Sequence, residues 1–261
     1  MLGSQLCKEA DFSTSWFVHA CGKLREEMRY HRKLWEWCYI FEALRERNML
    51  MPFKSGLGFG VGKEPLTAAF ASYGCEVVAT DMDADEAKEQ GWVETNQHAL
   101  NAMDLNNAGI CDPHQFRNLV TYETADMNRI SDNYVERFDF TWSSCCFEHL
   151  GSIEHGKRFI VNQMKCLKPG GVAVHTTEFN LSSDEDTLEA PILVIYRRRD
   201  IEAMVSELRQ EGYRVTVDYT AGAGPYESFV DLPPYHNPVH LRLKLGEYVS
   251  TSIGLIIEKE K

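Results

Sequence analysis

No apolar run in the 261-residue sequence approaches the roughly 18 residues that a membrane-crossing helix needs. The longest candidates, such as 252–257, are strand-sized, so no membrane association is expected. Residues 1–8 lack a basic-then-apolar pattern, which predicts no export address and a cytoplasmic location. None of the eight cysteines (Cys7, Cys21, Cys38, Cys75, Cys111, Cys145, Cys146 and Cys166) forms a C-x-x-C pair. That speaks against a zinc ribbon or disulfide framework and predicts buried thiols in a reducing compartment. Basic residues are in short supply, 27 against 39 acidic ones, for a formal charge of −12. A phosphate backbone would be repelled by that average field, so nucleic acid is not expected as a partner. Internal repeats and low-complexity stretches are also missing.

What is present is the composition of an ordinary globule, 44% apolar and 25% charged. A chain of this length buries roughly three quarters of its unfolded surface and needs no disulfide or metal staple. It accommodates one elaborated domain or two small ones. Leu34, Cys38, Phe41 and Leu44 recur at helical spacing within 33–47, with Trp35, Trp37 and Tyr39 adding aromatic bulk. This predicts a helical cap over 1–50, followed by a main domain over 51–261. After Pro52, strand-like runs appear at 55–58, 76–80, 119–123, 138–143, 171–177, 214–218 and 252–258. Helical patterns at 65–72, 153–167 and 200–210 lie between several of them. The alternation predicts βαβ units, a mainly parallel sheet and an α/β fold with helices on both faces. The stretches 84–116 (with Trp92, Asn96, Gln97 and His98), 180–195 and 220–249 do not fit it and read as inserted substrate loops over the sheet's carboxyl edge.

The most informative segment is Ser55-Gly56-Leu57-Gly58-Phe59-Gly60-Val61-Gly62, between a strand and a helix that can accept Pro65 in its first turn. Glycines at Gly56, Gly58 and Gly60 remove Cβ atoms where the backbone must turn and a ligand must approach. The next strand ends at Asp81, whose carboxylate can accept both ribose hydroxyls of a nucleoside. A dinucleotide site wants G-x-G-x-x-G. Here the third glycine position is Val61 or Lys63, depending on register, so the match fails. Adenosylmethionine sites use G-x-G-x-G, which Gly56, Gly58 and Gly60 fit.

With these residues in place, the chain resembles the class I S-adenosylmethionine-dependent methyltransferases over roughly 54–261. Tyr122-Glu123-Thr124-Ala125-Asp126-Met127 looks like the third strand of that family, and Phe138-Asp139-Phe140-Thr141-Trp142-Ser143-Ser144 like the fourth. Leu167-Lys168-Pro169-Gly170-Gly171 resembles the turn before the fifth. The resemblance implies a Rossmann-like seven-stranded sheet with a reversed final hairpin. It also implies that Gly56, Gly58 and Gly60 cradle the methionine moiety and that Asp81 holds the ribose. Met82, Asp126 and Met127 would frame the adenine, with Ser143 and Ser144 near the sulfonium. The segments 56–65, 142–151 and 175–180 are similar to uncharacterised bacterial methyltransferases associated with polysaccharide biosynthesis. That points to O-methylation of a saccharide, glycan or other small polar acceptor.

An alcohol acceptor must lose a proton, so a base or a metal is expected beside the methyl group. Candidates follow strand four (Glu148, His149) and end strand five (Glu178, His175). Glu148-His149 resembles the Glu-x-x-Glu-His metal motif of ubiquinone-pathway and small-RNA methyltransferases, but Cys145 stands at the first glutamate position. His149 is therefore read first as a general base, with a divalent metal second; the alternative is that Glu148 and His149 only cap the following helix. Glu178 reads as a hydrogen-bond partner for an acceptor hydroxyl, and His175 as a core histidine. Arg197 and Arg198, in an arginine triplet, could grip a phosphate or a sugar nucleotide. Alternatively they form a solvated basic turn paired with the acidic cluster 184–186. His236, in a proline-rich loop with His240, could close over substrate. Competing functions are metal-assisted methylation of a non-sugar acceptor and a non-catalytic cofactor-binding subunit. Weaker ones are a dinucleotide-dependent oxidoreductase and a nucleic-acid methyltransferase.

Overall fold

The computed structural model describes residues 1–89, 98–99 and 101–261. Trp92, Asn96 and Gln97, expected in a substrate loop, lie outside the described residues. The central strands are β2 (Ser55–Phe59), β3 (Glu76–Asp81), β4 (Val120–Thr124), β5 (Phe138–Ser144), β6 (Leu167–Asn180), β11 (Arg242–Leu245) and β12 (Tyr248–Glu258). They order as β4-β3-β2-β5-β6-β12-β11, with β12 antiparallel to both neighbours and β2 to β6 mutually parallel. This is the class I methyltransferase sheet, Rossmann-like, with its reversed final hairpin. Short strands extend it. β1 (Ser4–Leu6) pairs with β12 and with β9 (Val217–Asp218), and β10 (Val230–Asp231) pairs with β11. A separate hairpin joins β7 (Glu189–Ala190) to β8 (Leu193–Val194).

Two helical layers cover the sheet. On one face lie α1 (Ser15–Leu24), α2 (Arg32–Glu46), α3 (Leu66–Ser72) and α5 (Pro113–Leu119), in a core that reaches Val77, Phe140, Trp142 and Ile256. On the other face, α6 (Ile153–Gln163) and α7 (Arg198–Gln210) pack against Leu57, Phe59, Ala173 and Leu255. α4 (Ala84–Glu89) follows β3. The strand period of two explains the split: Leu57 and Phe59 point to one layer, so Gly56 and Gly58 point to the other. β6 is covered on both faces, and every residue from Gly171 to Asn180 is buried, the polar His175, Thr176, Thr177, Glu178 and Asn180 included. Segment 1–50 gives this body β1, α1 and α2, with α2 lying across β5, β6 and β12. No described helix is long and apolar enough to cross a membrane.

One expected strand moves. The 214–218 run pairs only through Val217 and Asp218, at β1, plus a lone bridge from Arg214 to Glu258. The place beside β12 belongs to β11, because the tight turn at 246–247, with Gly246 at φ 57°, returns the chain directly into an antiparallel hairpin.

Candidate functional site

The carboxyl ends of β2, β3, β4 and β5 open onto a cleft of about 780 Å³. This is the edge where open α/β sheets bind ligands, and the volume suits a small-molecule site. Its floor is the turn after β2. Gly60 and Gly62 line the cleft at φ 57° and 52°, a left-handed conformation that favours glycine. A Cβ on Gly60 would sit 2.9 Å from the Cys146 side chain.

Gly56 and Gly58 do something else, which corrects the expected glycine triplet. They lie within β2, and a Cβ on either would meet the Phe140 or Trp142 ring at 2.3 Å. They are packing glycines that admit aromatic rings of β5. The cleft glycines are Gly60 and the initially unassigned Gly62.

Asp81, at the end of β3, ties the floor together. Its carboxylate accepts the Gly62 and Met82 backbone N–H groups, each at 2.9 Å, with His98 Nδ1 at 3.6 Å. Burial raises its pKa, against the pull of those amides and of His98. Met82, Asp126 and Met127 also line the cleft; Asp126 is exposed at the rim and accepts the Asn128 N–H at 2.8 Å. Ser144 lines the cleft and donates to Glu36 Oε2 at 3.2 Å. Ser143 does not, since the strand alternation turns it into the core, where its Oγ shares a 2.7 Å hydrogen bond with His175 Nδ1. His175 is a core histidine, as expected from its place inside a strand. Burial holds its pKa down at about 3.

His149 lines the cleft beside Pro191, which the β7–β8 hairpin contributes. Its Nδ1 lies 2.6 Å from the Ile192 carbonyl oxygen. A carbonyl only accepts, so Nδ1 carries the proton and the basic lone pair of the neutral ring is on Nε2.

Glu148 and Glu178 are not brought to the cleft. Glu148 is 1% exposed and accepts the Thr177 hydroxyl at 3.0 Å. Glu178 accepts Ser250 Oγ at 2.6 Å and forms an ion pair with Arg32, so neither carboxylate faces an acceptor. Cys145 Sγ and carboxylate oxygens of Glu148 and Glu178 lie within 4.8 Å of one another, the one donor cluster of metal-binding type among the described residues. The Arg32 guanidinium already stands in it, paired with Glu178 and 3.2 Å from Glu36. Burial raises the Cys145 thiol well above its ordinary range, which keeps it a weak ligand. His149 is not a member. The donor set fits a hard cation poorly.

Arg197, Arg198 and His236 do not line the cleft. Arg197 caps α7 by pairing with Asp200 at 2.7 Å, Arg198 pairs with Glu202 at 2.7 Å, and Arg199 reaches Glu185 at 3.1 Å. The triplet is a basic turn neutralised by its neighbours. His236 is exposed, and His240 is held by Asp231 at 2.6 Å.

Sequence reasoning missed Lys33 and Glu64, both cleft-lining. Lys33 and Trp37 are four apart on α2 and so share a face, a spacing that could have flagged them. Glu64 is 6% exposed and accepts Trp142 Nε1–H at 2.6 Å. Burial pushes its carboxyl up to about 8.

Residues 57–175 match a family model described as a methyltransferase domain. No curated protein matches the sequence. Among solved structures, an S-adenosylmethionine-dependent methyltransferase from Mesorhizobium loti is 12% identical, covering 84% of this chain and 97% of its own, at a TM-score of 0.50. One from Clostridium acetobutylicum is 16% identical, covering 94% and 98%, at 0.48. The chain spans only 54% of the carbon methyltransferase of CurJ, to which it is 14% identical over 88% of its own length at 0.49. At such identities the likeness concerns the fold.

Proposed function

We propose that this protein, which matches a methyltransferase domain over 57–175, uses S-adenosylmethionine to methylate a hydroxyl of a saccharide or other small polar acceptor. The cleft fits the cofactor in three respects. Gly60 and Gly62 hold the left-handed turn that forms the floor of the cleft. Asp81 presents an oriented carboxylate at the position where a ribose would be held. Asp126 and Met127 stand where an adenine would be framed. When bound, the cofactor supplies a methyl group already activated by its sulfonium, so the protein's work is alignment and removal of the acceptor's proton.

The observation that carries the hydroxyl reading is His149, which lines the cleft. Its Nδ1–H is held by the Ile192 carbonyl at 2.6 Å, which fixes the tautomer and puts the basic lone pair of the neutral ring on Nε2. Trp37 adds an aromatic wall, a surface suited to the apolar face of a sugar ring. The excess of acidic residues keeps nucleic acid out of the proposal, and a cytoplasmic setting belongs to it.

Incubation with methyl-labelled donor and a panel of saccharide, phenol, amine and carbon-acid acceptors tests this reading. Label appearing as a base-stable ether on a saccharide hydroxyl is the expected result. Transfer confined to amine or carbon acceptors would overturn it, and donor binding without any product would favour a non-catalytic subunit.

A further inference from the structure

We propose that Lys33 and Glu64 clamp the zwitterionic amino-acid end of the donor, Lys33 binding its carboxylate and Glu64 its ammonium. The proposal rests on the donor reading above and extends it to two residues outside the glycine turn. Both line the same cleft from different elements, Lys33 from α2 and Glu64 from the turn after β2.

Each side chain is held in place by its surroundings. Lys33 Nζ lies 3.2 Å from Glu36 Oε2, and that same oxygen accepts the Ser144 hydroxyl at 3.2 Å. Glu36 is fully buried, and burial pushes its pKa up while Lys33 and Arg32 pull it down to about 2, so it is a fixed anion anchoring the ammonium of Lys33. Trp142 Nε1–H donates to Glu64 Oε1 at 2.6 Å and orients the carboxyl. Among the described residues no cation lies within 4.0 Å of Glu64. A buried carboxyl with a single neutral donor and no cation is costly to ionise, and a ligand ammonium would supply the missing charge.

The charged groups facing Glu64 act in opposite senses. Lys33 favours its ionised form, and Asp81 and Glu36 disfavour it. With burial the dominant influence, the carboxyl titrates near 8 and carries its proton at pH 7. Entry of an ammonium group would expel that proton, so binding the whole donor and releasing a proton become one event.

Two ligands separate the amino-acid end from the rest. S-adenosylhomocysteine carries it; 5′-methylthioadenosine has the same nucleoside and thioether without it. Titration calorimetry in buffers of differing ionisation enthalpy is run on the intact chain and on Lys33→Met and Glu64→Gln. The expected result is a loss of about 10- to 100-fold in S-adenosylhomocysteine affinity in each variant, the range of one charge-assisted hydrogen bond. Methylthioadenosine affinity stays unchanged, which also reports that the variants fold. The parent chain should release close to one proton at pH 7 with S-adenosylhomocysteine only, and Glu64→Gln should release none. Equal losses for both ligands, or no loss for either, overturn the clamp while leaving the donor reading intact. If the parent chain binds neither ligand, the donor reading falls and the clamp with it.

Discussion

Glu64 makes an energetic prediction that needs no ligand. Its carboxyl is 6% exposed and titrates near 8 in the folded chain, against 4.5 when solvated. Between those values the unfolded chain has lost the proton and the folded chain keeps it. Folding is then linked to proton uptake, and stability falls as pH rises. A tenfold difference is worth 1.36 kcal/mol, so moving from pH 5 to pH 8 should remove about 3–4 kcal/mol through this one residue. Glu64→Gln replaces the acid by a neutral group of the same shape that still accepts from Trp142. At pH 5 both folded proteins carry a neutral side chain, and they should differ in stability by less than about 1 kcal/mol. At pH 8 the variant should be the more stable, by about 6–12 °C in melting temperature for a chain of this size. Other titrating groups, among them the neutral His31 and His175, are common to both proteins and cancel in the difference. Urea or thermal unfolding of both proteins from pH 5 to 8 checks this. Parallel curves would refute the claim that Glu64 is a protonated buried acid.

Replacing His149 by Ala should lower turnover by about 100-fold or more while leaving S-adenosylhomocysteine affinity intact, measured by steady-state kinetics beside calorimetry. Unchanged turnover would assign the ring to holding the β7–β8 hairpin through Ile192. Arg32→Met leaves Glu178 and Glu36 without their shared guanidinium and should cost about 3–5 kcal/mol in urea unfolding. Adding Glu178→Gln should recover part of that loss, since it removes one of the stranded charges. Gly58→Ala drives a Cβ to 2.3 Å from the Trp142 ring and should destabilise by about 1–3 kcal/mol. Gly22→Ala, in α1 with nothing within 4 Å of the new Cβ, should stabilise by up to about 1 kcal/mol.

Alternation of short apolar runs with amphipathic stretches is a local property, and it was enough to read an α/β sheet covered on both faces. What local pattern could not decide was the pairing. Arg214-Val215-Thr216-Val217-Asp218 is longer than Arg242-Leu243-Lys244-Leu245 and alternates as strictly, yet the second takes the place beside β12. The tight turn at Gly246 brings β11 to β12 at almost no loop-closure cost, while the earlier run must reach its partners across the molecule. The arginine triplet was ambiguous for a similar reason. Its partners Asp200 and Glu202 are close in sequence, but whether an arginine spends its charge on them or on a ligand depends on where the turn faces.

The glycine register shows the same limit at the site itself. Gly56, Gly58, Gly60 and Gly62 are evenly spaced by two, and two demands produce that spacing. A strand puts every second residue on one face, so a facing layer of rings requires glycine at every second position. A phosphate- or sulfonium-type turn requires glycines where the backbone must be left-handed. The chain meets both demands in succession, and only the rings of Phe140 and Trp142 mark where one ends and the other begins. Those rings come from β5, so no reading of the β2 segment alone could find the boundary. Lys33 and Glu64 were hidden by the same remoteness. A lysine on a helix and a glutamate after a glycine turn are ordinary surface residues until α2 is laid across β5, β6 and β12. α2 brings Lys33 to a cleft that Glu64 lines from the turn after β2, so under the proposed clamp a change that lifts α2 off the sheet should weaken binding of the donor's amino-acid end before it weakens binding of the nucleoside.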